Sequence, residues 1–182
     1  MRWILLTLLI CLSSCGYQMG QGGLAQYYNT ISVPYVVGDL DGSLTAAIVR
    51  KLGEVGSFEY RRSGGALCLE VKLIDYEDEN IGFSYELNKH GERIKSIIPV
   101  ETRTTGLIEI VLYDAGSGCI LLGPTRLSGY VDYDHDYYMS RNGVNVFSLG
   151  QLTDIDAARD AAQIPLNDVL AQRVVDFIND SW

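Results

Sequence analysis

Two histidines, four cysteines and four prolines are spread over 182 residues, and each scarcity removes a class of function. His90 and His135 lie far from one another and from the cysteines, so no zinc-ligand pair is present. Neither histidine sits near a Gly-x-Ser-x-Gly turn, and no glycine-rich phosphate loop occurs. No enzyme activity, metal or cofactor is therefore expected. Long apolar runs are missing too: the longest, near the start, is about half the ~20 residues that a spanning helix needs. Bases are also in short supply, with 14 Lys and Arg against 23 Asp and Glu and a net charge of -9. Such a balance repels phosphate backbones and anionic headgroups at long range, which excludes nucleic acid as an expected partner. Local basic patches can still bind anions.

What the chain does have is a signal. Met1-Arg2 gives a positive start, residues 3–12 (WILLTLLICL) are apolar apart from one Thr, and Ser13-Ser14-Cys15-Gly16 follows at once. That order reads as a secretory signal over residues 1–14, cleaved ahead of a lipid-modified Cys15. Leu12-Ser13-Ser14-Cys15 looks like a bacterial lipobox, with acyl chains such as palmitate on the new N-terminus. An ordinary secreted protein whose Cys15 pairs with another thiol is the plainer reading. Cleavage removes only Arg2 among the charged residues, so the mature chain is more acidic by one.

Residues 15–30 form the lipidated start and a flexible tether, rich in Gly and amides and without periodicity. Residues 31–182 then make a single α+β domain, long enough to bury roughly 70% of its unfolded surface. Residues 31–37 (ISVPYVV) alternate at period two, and Pro34 marks them as an edge strand or a strand start. Ser43 is positioned to cap a helix whose stripe is Leu44, Ile48, Leu52 and Val55, with Gly56 ending it. Residues 66–76 and 81–87 alternate as strand, a hairpin follows at 88–91, and a return strand of about 92–98 leads to a bend at Pro99. Residues 102–113 and 119–133 continue an antiparallel meander about a turn at 114–118. Near the end, Thr153 or Asp154 caps a helix to about Gln163, and Pro165 opens or kinks a second segment with Leu166, Val169, Leu170, Val174, Phe177 and Ile178 as its stripe. The expected architecture is two helices packed on one face of a mostly antiparallel four-stranded sheet. Cys68 and Cys119, both in strands, are either one disulfide or two thiols, since nothing in the sequence fixes their separation.

Several local features, taken in order, carry a family likeness: Cys15-Gly16-Tyr17 at the mature start, the strand ISVPYVVGD, the helix LTAAIVRKLGEVGSF, the later GYVDYD, and a terminal amphipathic helix ending in Trp182. In these the chain resembles the LptE-like lipoproteins, outer-membrane subunits that assist a β-barrel in exporting lipopolysaccharide. The resemblance covers almost the whole mature chain. It implies a lipid-anchored plug on the periplasmic face of the outer membrane, an LptD-like outer-membrane β-barrel as partner, and lipopolysaccharide as a further ligand. Gly16 after Cys15 agrees with outer-membrane retention in such families. The strong acidity departs from a lipopolysaccharide binder more than from a barrel binder.

Two stretches are candidate sites. Lys89, Arg93 and Lys95 form the densest basic stretch, able to pair with lipid phosphates through charge-assisted bonds; a solvated hairpin tip is the plainer account. Tyr130, Tyr133, Tyr137 and Tyr138 are candidate partner contacts, since Tyr joins apolar area to a polar tip. Along a strand, Tyr130, Asp132 and Asp134 point one way and Val131, Tyr133 and His135 the other. Other readings are an auxiliary lipoprotein of a lipid ABC transporter, or a periplasmic lipoprotein hydrolase built on the Asp/His cluster near residue 135.

Overall fold

Long period-two patterns make long strands, and long strands dominate this molecule. The computed structural model describes residues 23–87, 90–135 and 155–181. Among them, a short 3-10 turn, Gly23–Gln26, precedes β1 (Thr30–Ser32), α1 (Ser43–Val55), β2 (Glu59–Arg61), β3 (Leu67–Leu87), β4 (Arg93–Asp114), β5 (Ile120–Asp134) and α2 (Ile155–Asp180). The strands form one sheet in the order β2-β1-β3-β4-β5.

Five strands, not four, make the sheet, and it is mixed. β1 runs parallel to both β2 and β3, while β3, β4 and β5 form the expected antiparallel meander. The sequence reading missed β2 because three residues are too few for a periodicity to register. It also misplaced β1. That strand is interior and stops at Ser32, so Pro34 follows it and needs no sheet edge. Pro99 lies within β4, opposite Phe83 and past the last β5 pairing at Glu101. There, among the described strands, β4 pairs with β3 alone, a place that tolerates a missing N–H.

Both helices cover the same face. Leu67, Leu69 and Val71 of β3 and Ile108, Ile110 and Leu112 of β4 meet Leu44, Ile48 and Leu52 of α1 and Leu166, Leu170, Val174 and Ile178 of α2 in one buried cluster. Each such side chain contributes about 1.5–3 kcal/mol by leaving water. Ala47 joins the α1 stripe in place of Val55, which is exposed. Packing reaches back before Ile31 as well, because Leu24, Ala25 and Tyr28 rest against the core.

The caps differ from expectation in an instructive way. Gly42 occupies the N-cap of α1 with φ 79°, and Ser43 is already helical. The free amides go instead to two upstream carboxylates: Asp39 accepts from Gly42 N–H and from the N–H and Oγ1–H of Thr45, and Asp41 accepts from the N–H and Oγ–H of Ser43. Those donors hold the Asp41 carboxyl below the usual carboxylate range, led by the Ser43 amide. α2 runs unbroken through Pro165. Packing of Ala158, Ala162 and Leu166 on the sheet side outweighs the lost i−4 bond, and Pro165 itself faces solvent. The proposed caps Thr153 and Asp154 lie outside the described residues.

Candidate functional site

β3 and β4 outrun the rest of the sheet. β5 leaves β4 at Glu101, so among the described residues the stretch from Gly82 to Leu87 against Arg93 to Val100 is a two-stranded arm. The crossing of α2 marks where the covered sheet gives way. Gly106 of β4 pairs with Gly129 of β5, and a Cβ on either would stand 2.8 Å from Leu170 or Val169 of the helix. A side chain at either position would force Leu170 or Val169 to shift.

Distal to that crossing, the helix-side face turns polar. Thr104 donates to Asp78 at 2.6 Å, and Arg159 of α2 reaches the other oxygen of Asp78 at 2.9 Å. Thr102 donates to Asn80 and lies 2.9 Å from Nε2 of His135, which is buried. Nδ1 of His135 is buried without a hydrogen-bond partner among the described residues. On the proximal side, Tyr76 donates to buried Asn167, whose amide donates to Ser43 Oγ, so one partly buried chain of polar groups ties β3 to both helices. Burial, then the charges of Asp39 and Asp41, push the Tyr76 phenol up.

Among the described residues, the opposite face has no helix. Arg103 holds Asp132 with two bonds, of 2.7 and 2.8 Å, and its guanidinium lies 4.2 Å from the centre of the Tyr130 ring. This clasp lowers the Asp132 carboxyl and raises the Arg103 guanidinium. Around it, Asp75, Glu77, Glu79, Glu101 and Asp134 give a strongly acidic belt, and Glu101 pairs directly with Asp134. Beyond the belt, Phe83, Tyr85 and Ile97 stand exposed, with Arg93 4.8 Å above the Tyr85 ring.

The structure sorts the candidates accordingly. Tyr130 and Tyr133 fall on opposite faces, as the strand alternation requires: Tyr130 belongs to the bare face, and Tyr133 tilts against His135 with ring centroids 6.1 Å apart. They do not form one surface. Tyr137 and Tyr138 lie outside the described residues. Arg93 is exposed at the base of the hairpin and Lys95 follows it on β4, while Lys89 lies outside the described residues, as does Cys15. Asp132 and Asp134 point away from His135, so the carboxylates and imidazole considered for hydrolysis do not converge. No group of three or more metal-ligating side chains occurs among the described residues. Cys68 and Cys119 are free thiols. Cys68 pairs with Tyr113, and Tyr113 with Ile120 beside Cys119, which sets the two cysteines about two strand spacings apart, ~9.5 Å, beyond disulfide reach. Sequence reading missed Phe83, Tyr85 and Ile97 as an exposed set, because their alternation looks the same whether the face is covered or bare.

No protein-family model matches the sequence, and no curated protein matches it. The fold is similar to that of a Caulobacter crescentus protein described as a lipoprotein, at 12% identity over 88% of this chain and 96% of that one, with a TM-score of 0.52. It is also similar to the uncharacterized lipoprotein B of Nitrosomonas europaea, at 10% identity over 87% of each chain and a TM-score of 0.51. Rare lipoprotein B of Shewanella oneidensis aligns at 12% identity over 84% of this chain and 95% of that one, with a TM-score of 0.47. At such identities the likeness is one of fold: a helix-backed sheet found in bacterial lipoproteins.

Proposed function

We propose that this chain is a lipid-anchored, non-catalytic subunit that plugs and assembles an outer-membrane β-barrel for lipopolysaccharide export. One observation carries the reading. The described chain begins beside Leu121 and Leu122, at the Asp114 end of the sheet, where Tyr28 reaches Asp114. The hairpin lies at the other end of β4, 22 residues away or roughly 70 Å at strand rise. Seven residues separate Cys15 from Gly23, eight Cα steps or at most ~29 Å of chain. An acylated Cys15 in the periplasmic leaflet thus leaves the arm free to point away from that leaflet, the orientation that a plug entering a barrel from below needs. The fold shared with lipoproteins agrees with the lipobox at Leu12-Ser13-Ser14-Cys15.

In this reading Lys89, Arg93 and Lys95 contact lipopolysaccharide in transit, and of the tyrosines Tyr130, on the bare face, meets the partner. Purification of the tagged chain from solubilised outer membranes tests it. A co-purifying large barrel is the expected result, and Cys15→Ala should move the protein from the membrane to the soluble fraction. A permease complex in place of the barrel assigns the chain to a lipid ABC transporter instead. A Cys15→Ala protein that still fractionates with membranes overturns the lipid anchor.

A further inference from the structure

Phe83, Tyr85 and Ile97 share the bare face of the arm and are 57%, 52% and 60% exposed. Three large apolar side chains grouped in water are unusual on a surface with nothing to bind. The acidic belt adjoins them. Glu79 faces Arg103 across the strand pair, no ion pair joins Glu77, Glu101 or Asp134 to a cation among the described residues, and the direct pairing of Glu101 with Asp134 sets like charges opposite each other. Such a pair weakens a sheet, and a cation brought from outside would relieve it.

We propose that this bare face is a docking site for a protein surface bearing lysine and arginine around an apolar centre, seated on Phe83, Tyr85 and Ile97 and held by Glu77, Glu79 and Glu101. Charge complementarity selects that occupant. An anionic lipid surface is repelled by the belt. On its own bare face a second copy of the chain offers Arg93 and Arg103, already engaged over Tyr85 and with Asp132. The inference deepens the plug reading and rests on it only in taking the partner to be a protein; a barrel's polar inner wall is one surface of the required kind.

Photocrosslinking in the native envelope tests it. p-Benzoylphenylalanine placed at Phe83 of the full lipidated chain should give a protein adduct whose crosslinked peptide contains Lys or Arg, and the same probe at Ile164, exposed on α2, should not. Charge reversal at Glu77 and Glu101 to Lys should cut the Phe83 adduct at least fivefold. Should that variant fail to fold, Glu79→Gln with Glu101→Gln should cut it about twofold. The proposal is overturned by an adduct of twice the chain's mass, by an adduct insensitive to these changes, by none at Phe83, or by binding to phosphatidylglycerol vesicles that Phe83→Ser abolishes. A charge-dependent adduct to a protein other than a barrel leaves the docking face standing and refutes the plug reading.

Discussion

β3 and β4 run through two surroundings, and the same two strands behave differently in each. In the proximal half, Leu67, Leu69, Val71, Ile108, Ile110 and Leu112 are buried beneath two helices, with strands on either side. In the distal half, past the bulge between Leu73 and Asp75 that shifts the helix-side set of β3 from odd to even positions, those positions become Asp78 and Asn80, opposite Thr104 and Thr102 of β4, and the apolar residues Phe83, Tyr85 and Ile97 face water. A strand pattern thus specifies the pleat between bulges, whereas stability comes from the half that is covered. The proximal half holds the fold and the distal half presents it.

The sharpest break in this comparison is expected at the helix crossing. Leu170→Ala should destabilise by about 2–5 kcal/mol, the range for a large aliphatic removed from a packed core, since Leu170 is fully buried against Gly106 and Gly129. Gly106→Val attacks the same contact from the sheet side and should cost about 1–3 kcal/mol through overpacking. Urea denaturation of both variants checks the pair. A loss under 1 kcal/mol for Leu170→Ala would mean that the crossing does not divide the molecule.

Next in size is the polar chain through Asn167. Asn167→Ala leaves the Tyr76 hydroxyl and Ser43 Oγ without their buried partner and should cost about 1–3 kcal/mol. Tyr76→Phe removes one end only and should cost less. If the two losses are equal, the link to α1 through Ser43 carries no weight.

This network shows where the sequence stops being readable. The helix stripes, the β3 to β5 meander and the opposed directions of Tyr130 and Tyr133 follow from periodicity, which local sterics fix. Ser43 reads as a cap by residue type, yet the capping falls to Asp39 and Asp41, because Gly42 in a left-handed conformation turns those carboxylates back onto the helix start. The position of β2 in the sheet depends on partners that residues 59–61 do not name. Pro165 stays inside α2 because tertiary packing overrides a local preference. Exposure of the arm's apolar set depends on where α2 and β5 end, which no local pattern in β3 contains.

A smaller effect belongs to the clasp at the boundary of the two halves. The Arg103 bonds hold the Asp132 carboxyl below its ordinary value. A depressed carboxyl adds stability at neutral pH, retains it above the ordinary range near about 4, and loses it as pH falls through the lower folded value. Acidification from pH 5 to pH 2 should therefore lower the melting temperature of the native protein more than that of Arg103→Ala. An equal decline in both would assign the acid sensitivity to other carboxylates, with Asp114, lowered chiefly by the Gly116 amide, the next to test.

The smallest expected effect is the most discriminating. Phe83→Ser and Ile97→Ser replace large apolar groups, a change that beneath the helices would cost several kcal/mol, yet on the bare arm each should shift stability by no more than about 0.5 kcal/mol. The exposed ring and butyl group have already stayed largely in water on folding, so their removal forfeits little transfer energy. Loss of β propensity in a two-stranded segment is the term left, and it falls on an arm that opens locally without unfolding the core. Amide exchange should then quicken within residues 82–87 and 93–100 while the amides of Leu69 and Ile110 keep their protection. A drop in global stability approaching that of Leu170→Ala would mean that these side chains are core after all, and the division between a half that holds and a half that presents would fail.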